Sequence, residues 1–410
     1  MGPRRMLFKQ MDSSRPVMTE ISLEVKYTRD PIMSDSILTY FEERRTHFIG
    51  ILEDLIRHEV PSGDKESSRA FAAFYRQLLE ERGARCREHI TPMGVHLVAD
   101  WPGEENNTPD VVLVAHSDTV WPAGEASRRP PTITDGKLYG PGAYDMRAGL
   151  LLALAVLECL QDLSIETSRS IRVFVSADEE SGSLEAREFL EKEVPRDATC
   201  LVLEPPGPDG ALKIERKGVG IYALETHGRA GHAGVNPEDA VSAIDELVEQ
   251  IVAIRTLRDA ERKLTINIGE IEGGVASNVI ADHARASIDV RFVQPEDGDA
   301  VDRALRTLQP QLEGTRLELT GGIVFPPMVA GPETLNLASR AIESAGRLDF
   351  ALTTSSSGGG SDGSYLASLG CRVLDGLGID GDGAHALDEH IVVERLPLRA
   401  ALLTHLMLEL

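Results

Sequence analysis

Cysteine is scarce: the chain has four in 410 residues, Cys86, Cys159, Cys200 and Cys371. None forms a Cys-x-x-Cys pair, so neither a disulfide framework nor a zinc finger is indicated. Three of them sit in or beside apolar segments and read as inert core thiols. Long hydrophobic runs are missing too. No stretch approaches the roughly 18 apolar residues of a membrane helix. Residues 1–35 carry basic side chains without the apolar core of a secretory signal. Positive charge is in deficit: 42 Lys and Arg face 66 Asp and Glu, a net charge of −24. Nucleic acid or an anionic membrane would be repelled as a partner. What remains is a soluble, cytoplasmic type of protein whose 42% hydrophobic content suffices for a packed interior. At 410 residues it exceeds one ordinary core, so two or three domains are expected.

The order of elements suggests where those domains lie. Residues 1–35 read as a disordered or poorly packed leader. Helical periodicity then runs from Ser36 through Tyr40, Phe41, Phe48, Leu52 and Leu55, and a second amphipathic helix covers 68–82. The run 111–115 is continuously apolar, which suits a strand buried on both faces of a parallel sheet. A nearly all-apolar helix at 148–160 and strands at 171–177 and 200–203 complete an αβαβ order. An α/β fold follows, with a largely parallel sheet flanked by helices. The pattern changes after 217. Strands at 221–227, 264–271, 284–292 and 317–320 alternate with helices at 238–257 and 299–312. This βαββαβ order is a complete small domain set inside the first. The sheet resumes at 372–377, and a helix at 396–408 closes the chain. The expected division is a first domain of 36–217 and 330–410 with 218–329 inserted in it.

Several strand ends carry groups that do not belong in a core. Glu179 and Glu180 leave the apolar run 171–176 together, and an ionised carboxylate in a low-dielectric place needs a cation or a proton. His116 and Asp118 follow 111–115, and Glu204 follows 201–203. Asp145 lies in a Gly-rich turn, 140–149, that leads into the apolar helix. Near the C-terminus, 381–390 offers His385 and His390. These positions fall at the carboxyl ends of parallel strands, where ligand crevices form. Each alone has an ordinary reading. A lone strand-end histidine is commonly packed or on the surface, Asp145 could cap a helix, Glu204 could be a surface acid, and His385 competes with His390. Together they form a donor set suited to zinc, manganese or cobalt. Two histidines and three or four carboxylates exceed the needs of one tetrahedral ion. Two ions about 3.5–4 Å apart, bridged by one carboxylate, would use them all.

These stretches resemble the co-catalytic zinc hydrolase family of aminoacylase, acetylornithine deacetylase, succinyl-diaminopimelate desuccinylase and bacterial glutamate carboxypeptidase, and most of all the carboxypeptidase branch. The matching segments are 115–120, 140–149, 177–183, 203–205, 231–234, 277–280, 358–365, and His385 with Glu389, in the family's order. The resemblance implies a zinc-peptidase catalytic domain and an inserted ferredoxin-like dimerisation and lid domain. It implies two divalent metal ions, zinc first, with manganese or cobalt as alternatives. Asp145 would bridge them, His116 and Glu204 completing one site and Glu180 and His385 the other. Glu179 would be the general base, and Asp118 would hydrogen-bond the second nitrogen of His116. A cis peptide at Asp145–Met146 is implied as well. His232 would reach the active site of the other subunit, so a homodimer is implied. Arg291, Asn278 and the loop at Gly360 would bind a substrate carboxylate. Hinges would lie near Lys217–Gly218 and Ala330–Gly331.

One departure bears on specificity. The glutamate-selective branch carries extra basic residues where this chain has Gly210-Ala211-Leu212 and the segment 320–325, and Lys213 and Lys217 are offset. A C-terminal glutamate is therefore not implied. The activity implied is hydrolysis of an amide C–N bond in a small carboxylate-bearing molecule, such as an N-acyl amino acid or dipeptide. A second reading puts a non-peptide C–N bond, arylamine or ureido, on the same site. A third, an inactive metal- or peptide-binding scaffold, requires a missing base or ligand, and none is missing.

Overall fold

The computed structural model describes residues 6–11, 16–21, 31–102, 109–167, 169–235 and 237–410. About half of the leader expected over 1–35 falls outside them; within it, Met6–Met11 and Pro16–Ile21 pair as antiparallel strands and a helix begins at Pro31. The periodicity after Ser36 resolves into two helices, α1 (Pro31–Glu43) and α2 (Arg45–Arg57), separated at Arg44. Helix α3 (Lys65–Glu81) starts where the Asp64 carboxylate accepts the N–H groups of Glu66 and Ser67. Next come β1 (Arg85–Ile90), β2 (Val95–Trp101), β3 (Val111–His116), α4 (Ala148–Asp162), β4 (Ile171–Ser176), β5 (Thr199–Val202) and β6 (Leu212–Arg216). The inserted unit holds β7 (Gly218–His227), α5 (Ala243–Arg255), β8 (Thr265–Gly273), β9 (His283–Phe292), α6 (Pro295–Arg306) and β10 (Arg316–Phe325). The chain returns through α7 (Pro332–Arg347), β11 (Thr354–Ser357), α8 (Asp362–Ser368), β12 (Arg372–Leu374) and α9 (Arg395–Glu409).

The main sheet has the order β12-β5-β3-β4-β2-β1. Its first four strands are parallel, and the β1–β2 hairpin adds an antiparallel edge. Continuous burial of β3 has a direct cause. Val111, Leu113 and Ala115 enter one core with α4 and α9, while Val112 and Val114 enter a second core with Leu190, Val202 and Leu366. Every residue of α4 from Ala148 to Leu160 is buried, as expected of a helix that is apolar all round. Each fully buried Leu there contributes about 1.5–3 kcal/mol relative to exposure.

The inserted unit is a four-stranded antiparallel sheet of order β8-β9-β7-β10. Tyr222 and Leu224 of β7 pack with Leu247 of α5 and with Val301 and Leu305 of α6, so both helices cover one face. The expected helix 238–257 begins only at Ala243, because Ser242 caps it by accepting the Asp245 N–H. The expected helix 299–312 starts earlier, with Pro295 in its first turn and Glu296 and Asp297 beside it. Two chain crossings join the units. Arg216 and Met328 exchange backbone hydrogen bonds of 2.9 and 3.0 Å there. The serine-rich segment before Gly358 forms β11, parallel to β6. Among the described residues no helix is long and apolar enough to cross a membrane.

Candidate metal centre

Parallel neighbours end at the same edge of a sheet, and this gathers the distant acids. His116 is the last residue of β3, Glu179 and Glu180 form a single 3-10 turn just after β4, and Glu204 lies just past β5. Asp145 enters from the turn that leads into α4, and its peptide bond to Met146 is cis. His385 comes from the loop before His390–Val392, a short strand paired with Lys137–Tyr139. Glu389 holds the Asp145 turn in place. Its Oε1 accepts the N–H groups of Tyr144 and Asp145, both at 3.0 Å. Its Oε2 accepts Gly142 N–H at 2.8 Å and Trp121 Nε1–H at 2.9 Å.

Asp145 sits between the two histidines. Its Oδ1 is 3.1 Å from His116 Nε2 and its Oδ2 is 3.5 Å from His385 Nε2. Glu204 Oε1 is 3.5 Å from His116 Nε2, and Glu180 Oε2 is 3.2 Å from His385 Nε2. The structure thus forms two donor groups, His116–Asp145–Glu204 and Asp145–Glu180–His385, each with its ligand atoms within 4.8 Å of one another. Glu180 Oε1 is buried without a hydrogen-bond partner among the described residues. His116 Nδ1 lies 2.9 Å from the backbone carbonyl of Asp118 and 3.5 Å from its carboxylate. An Nδ1–H donated there leaves the Nε2 lone pair facing the acids.

Acids this close need positive charge. Burial alone would lower the His116 pKa, but Asp118, Asp145 and Glu204 outweigh it and hold it well above the usual range. Burial would raise the Asp145 pKa, and the two imidazoles drive it down instead. Burial pushes Glu179 and Glu180 up, Glu204 adding to the first and His385 partly offsetting the second. Imidazole and carboxylate donors in two groups with a shared acid, one oxygen orphaned, fit divalent cations.

Glu179 belongs to neither group. Among the described residues nothing hydrogen-bonds its carboxylate. Its backbone N–H goes to Asp118 Oδ1 at 3.1 Å, and that of Glu180 to Asp118 Oδ2 at 3.2 Å. Asp118 therefore orients the paired glutamates as well as His116, and Ser62 Oγ steadies it at 2.8 Å.

Of the remaining expected residues, His232, Asn278 and Arg291 make their hydrogen bonds elsewhere. His232 is exposed, and its Nδ1 accepts only the Gly234 N–H among the described residues. It pairs with Val279 in a short ladder beside Asn278, whose carbonyl accepts Ala233 N–H at 3.0 Å. Arg291 forms a bidentate pair with Asp289 and donates to Gly358 O at 3.3 Å, at the edge of the Gly-rich loop. At Gly360 a side chain would meet Phe325 at 2.5 Å, so the close approach of the two units needs glycine. Sequence reasoning missed Arg216, Asp375 and the clamp made by Glu389. Arg216 is 4% exposed and reaches Glu204 Oε2 at 3.2 Å.

Known proteins similar to this chain are hydrolases and peptidases. Residues 112–409 match the model of peptidase family M20/M25/M40. Carboxypeptidase G2 of Pseudomonas sp. (strain RS-16) is 28% identical over 376 residues, 88% of this chain and 89% of that protein. Succinyl-diaminopimelate desuccinylase of Delftia acidovorans is 28% identical over 309 residues, 71% and 79% of the two. The aminopeptidase PepT structure from Bacillus cereus shares the fold at a TM-score of 0.70 and 21% identity, covering 89% of this chain and 98% of that one. The chain belongs to peptidase family M20/M25/M40 and is a metal-dependent hydrolase.

Proposed function

We propose that the protein is a two-metal amidohydrolase that cleaves the C–N bond of a small carboxylate-bearing substrate, an N-acyl amino acid or dipeptide. The observation that carries this reading is Asp145, whose two carboxylate oxygens face two separate imidazoles. His116, Asp145 and Glu204 would hold one ion, and Asp145, Glu180 and His385 the other, zinc being the best match to these donors. Such a pair, when bound, lowers the pKa of water and polarises a carbonyl. Glu179 takes a proton from the attacking water. The new C–O bond forms, the C–N bond breaks, and Glu179 returns that proton to the leaving nitrogen. Asp118 keeps Glu179 in place through the backbone N–H it accepts.

Arg291, Asn278 and the Gly360 loop would bind the substrate carboxylate. Relatives named for carboxypeptidase and desuccinylase activity support amide cleavage. Exposed Ile244, Val248 and Val252 form a stripe along α5, beside the edge strand β8, which supports a homodimer joined through the inserted unit. His232 of one subunit would then complete the oxyanion contacts in its partner. Four free cysteines support a reducing, cytoplasmic setting.

The test is a panel of N-acyl amino acids, dipeptides, arylamides, ureido compounds and arylamines on metal-loaded protein. Amide turnover should vanish on chelation and return with Zn²⁺, Co²⁺ or Mn²⁺. Glu179→Gln should keep two ions per chain and lose about 10²–10⁴-fold in kcat. Full turnover in that variant removes Glu179 as the base, and turnover confined to ureido or arylamine compounds removes the peptide-like substrate.

A further inference from the structure

We propose that Arg216 is a positioning residue that presents Glu204 to its ion and ties that presentation to the neck of the inserted unit. The inference rests on Glu204 being a metal ligand, as read above. A buried cation is costly unless paired, and Asp375 already pairs this one. Arg216 Nε reaches Asp375 Oδ2 at 2.6 Å, and Nη2 reaches Oδ1 at 2.9 Å. Charge balance is met there. The further bond from Nη2 to Glu204 Oε2, at 3.2 Å, therefore needs another account.

Glu204 supplies it. Its other oxygen, Oε1, faces His116 Nε2 at 3.5 Å. The guanidinium thus engages one carboxylate oxygen and leaves one for an ion. Groups that orient a ligand in this way set its geometry and donor strength. The remaining arm of the fork, Nη1, donates to Gly360 O at 3.1 Å and Gly359 O at 3.4 Å, beside the loop that Arg291 of the inserted sheet also touches. The Arg216 backbone pairs with Met328 where the two chain crossings meet. One planar side chain therefore spans the Glu204 carboxylate, the Gly-rich loop and the neck. Lysine has the charge without the fork and could not make all these contacts.

The experiment measures metal retention. Full-length protein loaded with Zn²⁺ is dialysed against increasing chelator, and zinc per chain is read by atomic emission beside the thermal midpoint. Arg216→Lys should release one of its two ions at about 10–100-fold less chelator than the unmodified protein, the other ion holding as before. Asp375→Asn, which loosens Arg216 without touching Glu204, should shift the same ion in the same direction. Arg172→Lys is the control for a buried pair at the amino end of β4, where Arg172 Nε reaches Asp100 Oδ1 at 2.6 Å. It should lower the midpoint and leave both ions unmoved. If Arg216→Lys and Asp375→Asn lower the midpoint while both ions are held normally, the role is packing alone and the inference fails. Glu204→Gln separates the two readings. Loss of one ion in that variant, with none in Arg216→Lys, overturns only the Arg216 assignment; retention of both ions overturns the ligand assignment and the inference with it.

Discussion

His96 shows how one ring can couple stability to pH. It is wholly buried, its Nδ1 accepting Ala177 N–H at 3.2 Å and its Nε2 lying 3.4 Å from Thr91 Oγ1. Burial lowers its pKa to about 4, with Asp118 opposing and His89 assisting. The unfolded chain therefore takes up the proton first as pH falls. This stabilisation is complete above about pH 6.5 and is lost towards pH 4, worth about 3 kcal/mol in all. In His96→Asn the amide oxygen can replace Nδ1 as acceptor, and the proton uptake is gone. The stability gap between the two proteins should shrink by about 2 kcal/mol from pH 7 to pH 4.5 in urea titrations. A constant gap would show that the ring is not held neutral. Residues of this kind also mark the limit of what a sequence tells. Glu179 and Glu180 were legible because two carboxylates after a run such as 171–176 are out of place. Arg216 was not, since it stands among Lys213, Glu215 and Lys217, and only the fold separates the buried cation from the half-buried ones.

Among elements, those buried on both faces were legible and those with one wet face were less so. Strands β3, β4 and β5 are buried along their whole length and mostly apolar because cores lie above and below them. Strand β1 reads Arg-Cys-Arg-Glu-His-Ile, and its partner β2, not its own composition, makes it a strand. The helix starts at Ser242 and Pro295 turned on single capping and N-terminal residues, which periodicity blurs. Packing between α4 and β5 gives a prediction at this scale. A Cβ on Gly149 would run into the Leu203 carbonyl and come within 2.5 Å of Met146 Cε. Gly149→Ala should destabilise by about 1–3 kcal/mol despite alanine's better helix propensity. Glu204 follows Leu203 directly, so zinc retention should fall with the thermal midpoint. A variant as stable as the parent would mean that the helix can slide off the sheet at no cost.

At the scale of the whole molecule the test is complementation. If the chain forms the proposed homodimer, Glu179→Gln and His232→Ala should each be inactive on their own. In a mixed dimer, one site regains its own Glu179 and a neighbour's intact His232. Equal mixing should restore about a quarter of full activity, since half the dimers are mixed and each has one good site. No recovery after verified subunit exchange would place His232 outside its partner's chemistry. The clamp made by Glu389 has a further consequence, for synthesis. The carboxylate that fixes the Asp145 turn is made 244 residues after it, and His385 comes only just before that clamp. On the proposed ligand set, a ribosome must deliver every residue from Asp145 through Glu389 before the two donor groups can be fixed together. Chains stopped before Glu389 should therefore hold zinc poorly, and zinc per chain measured on such truncations checks this.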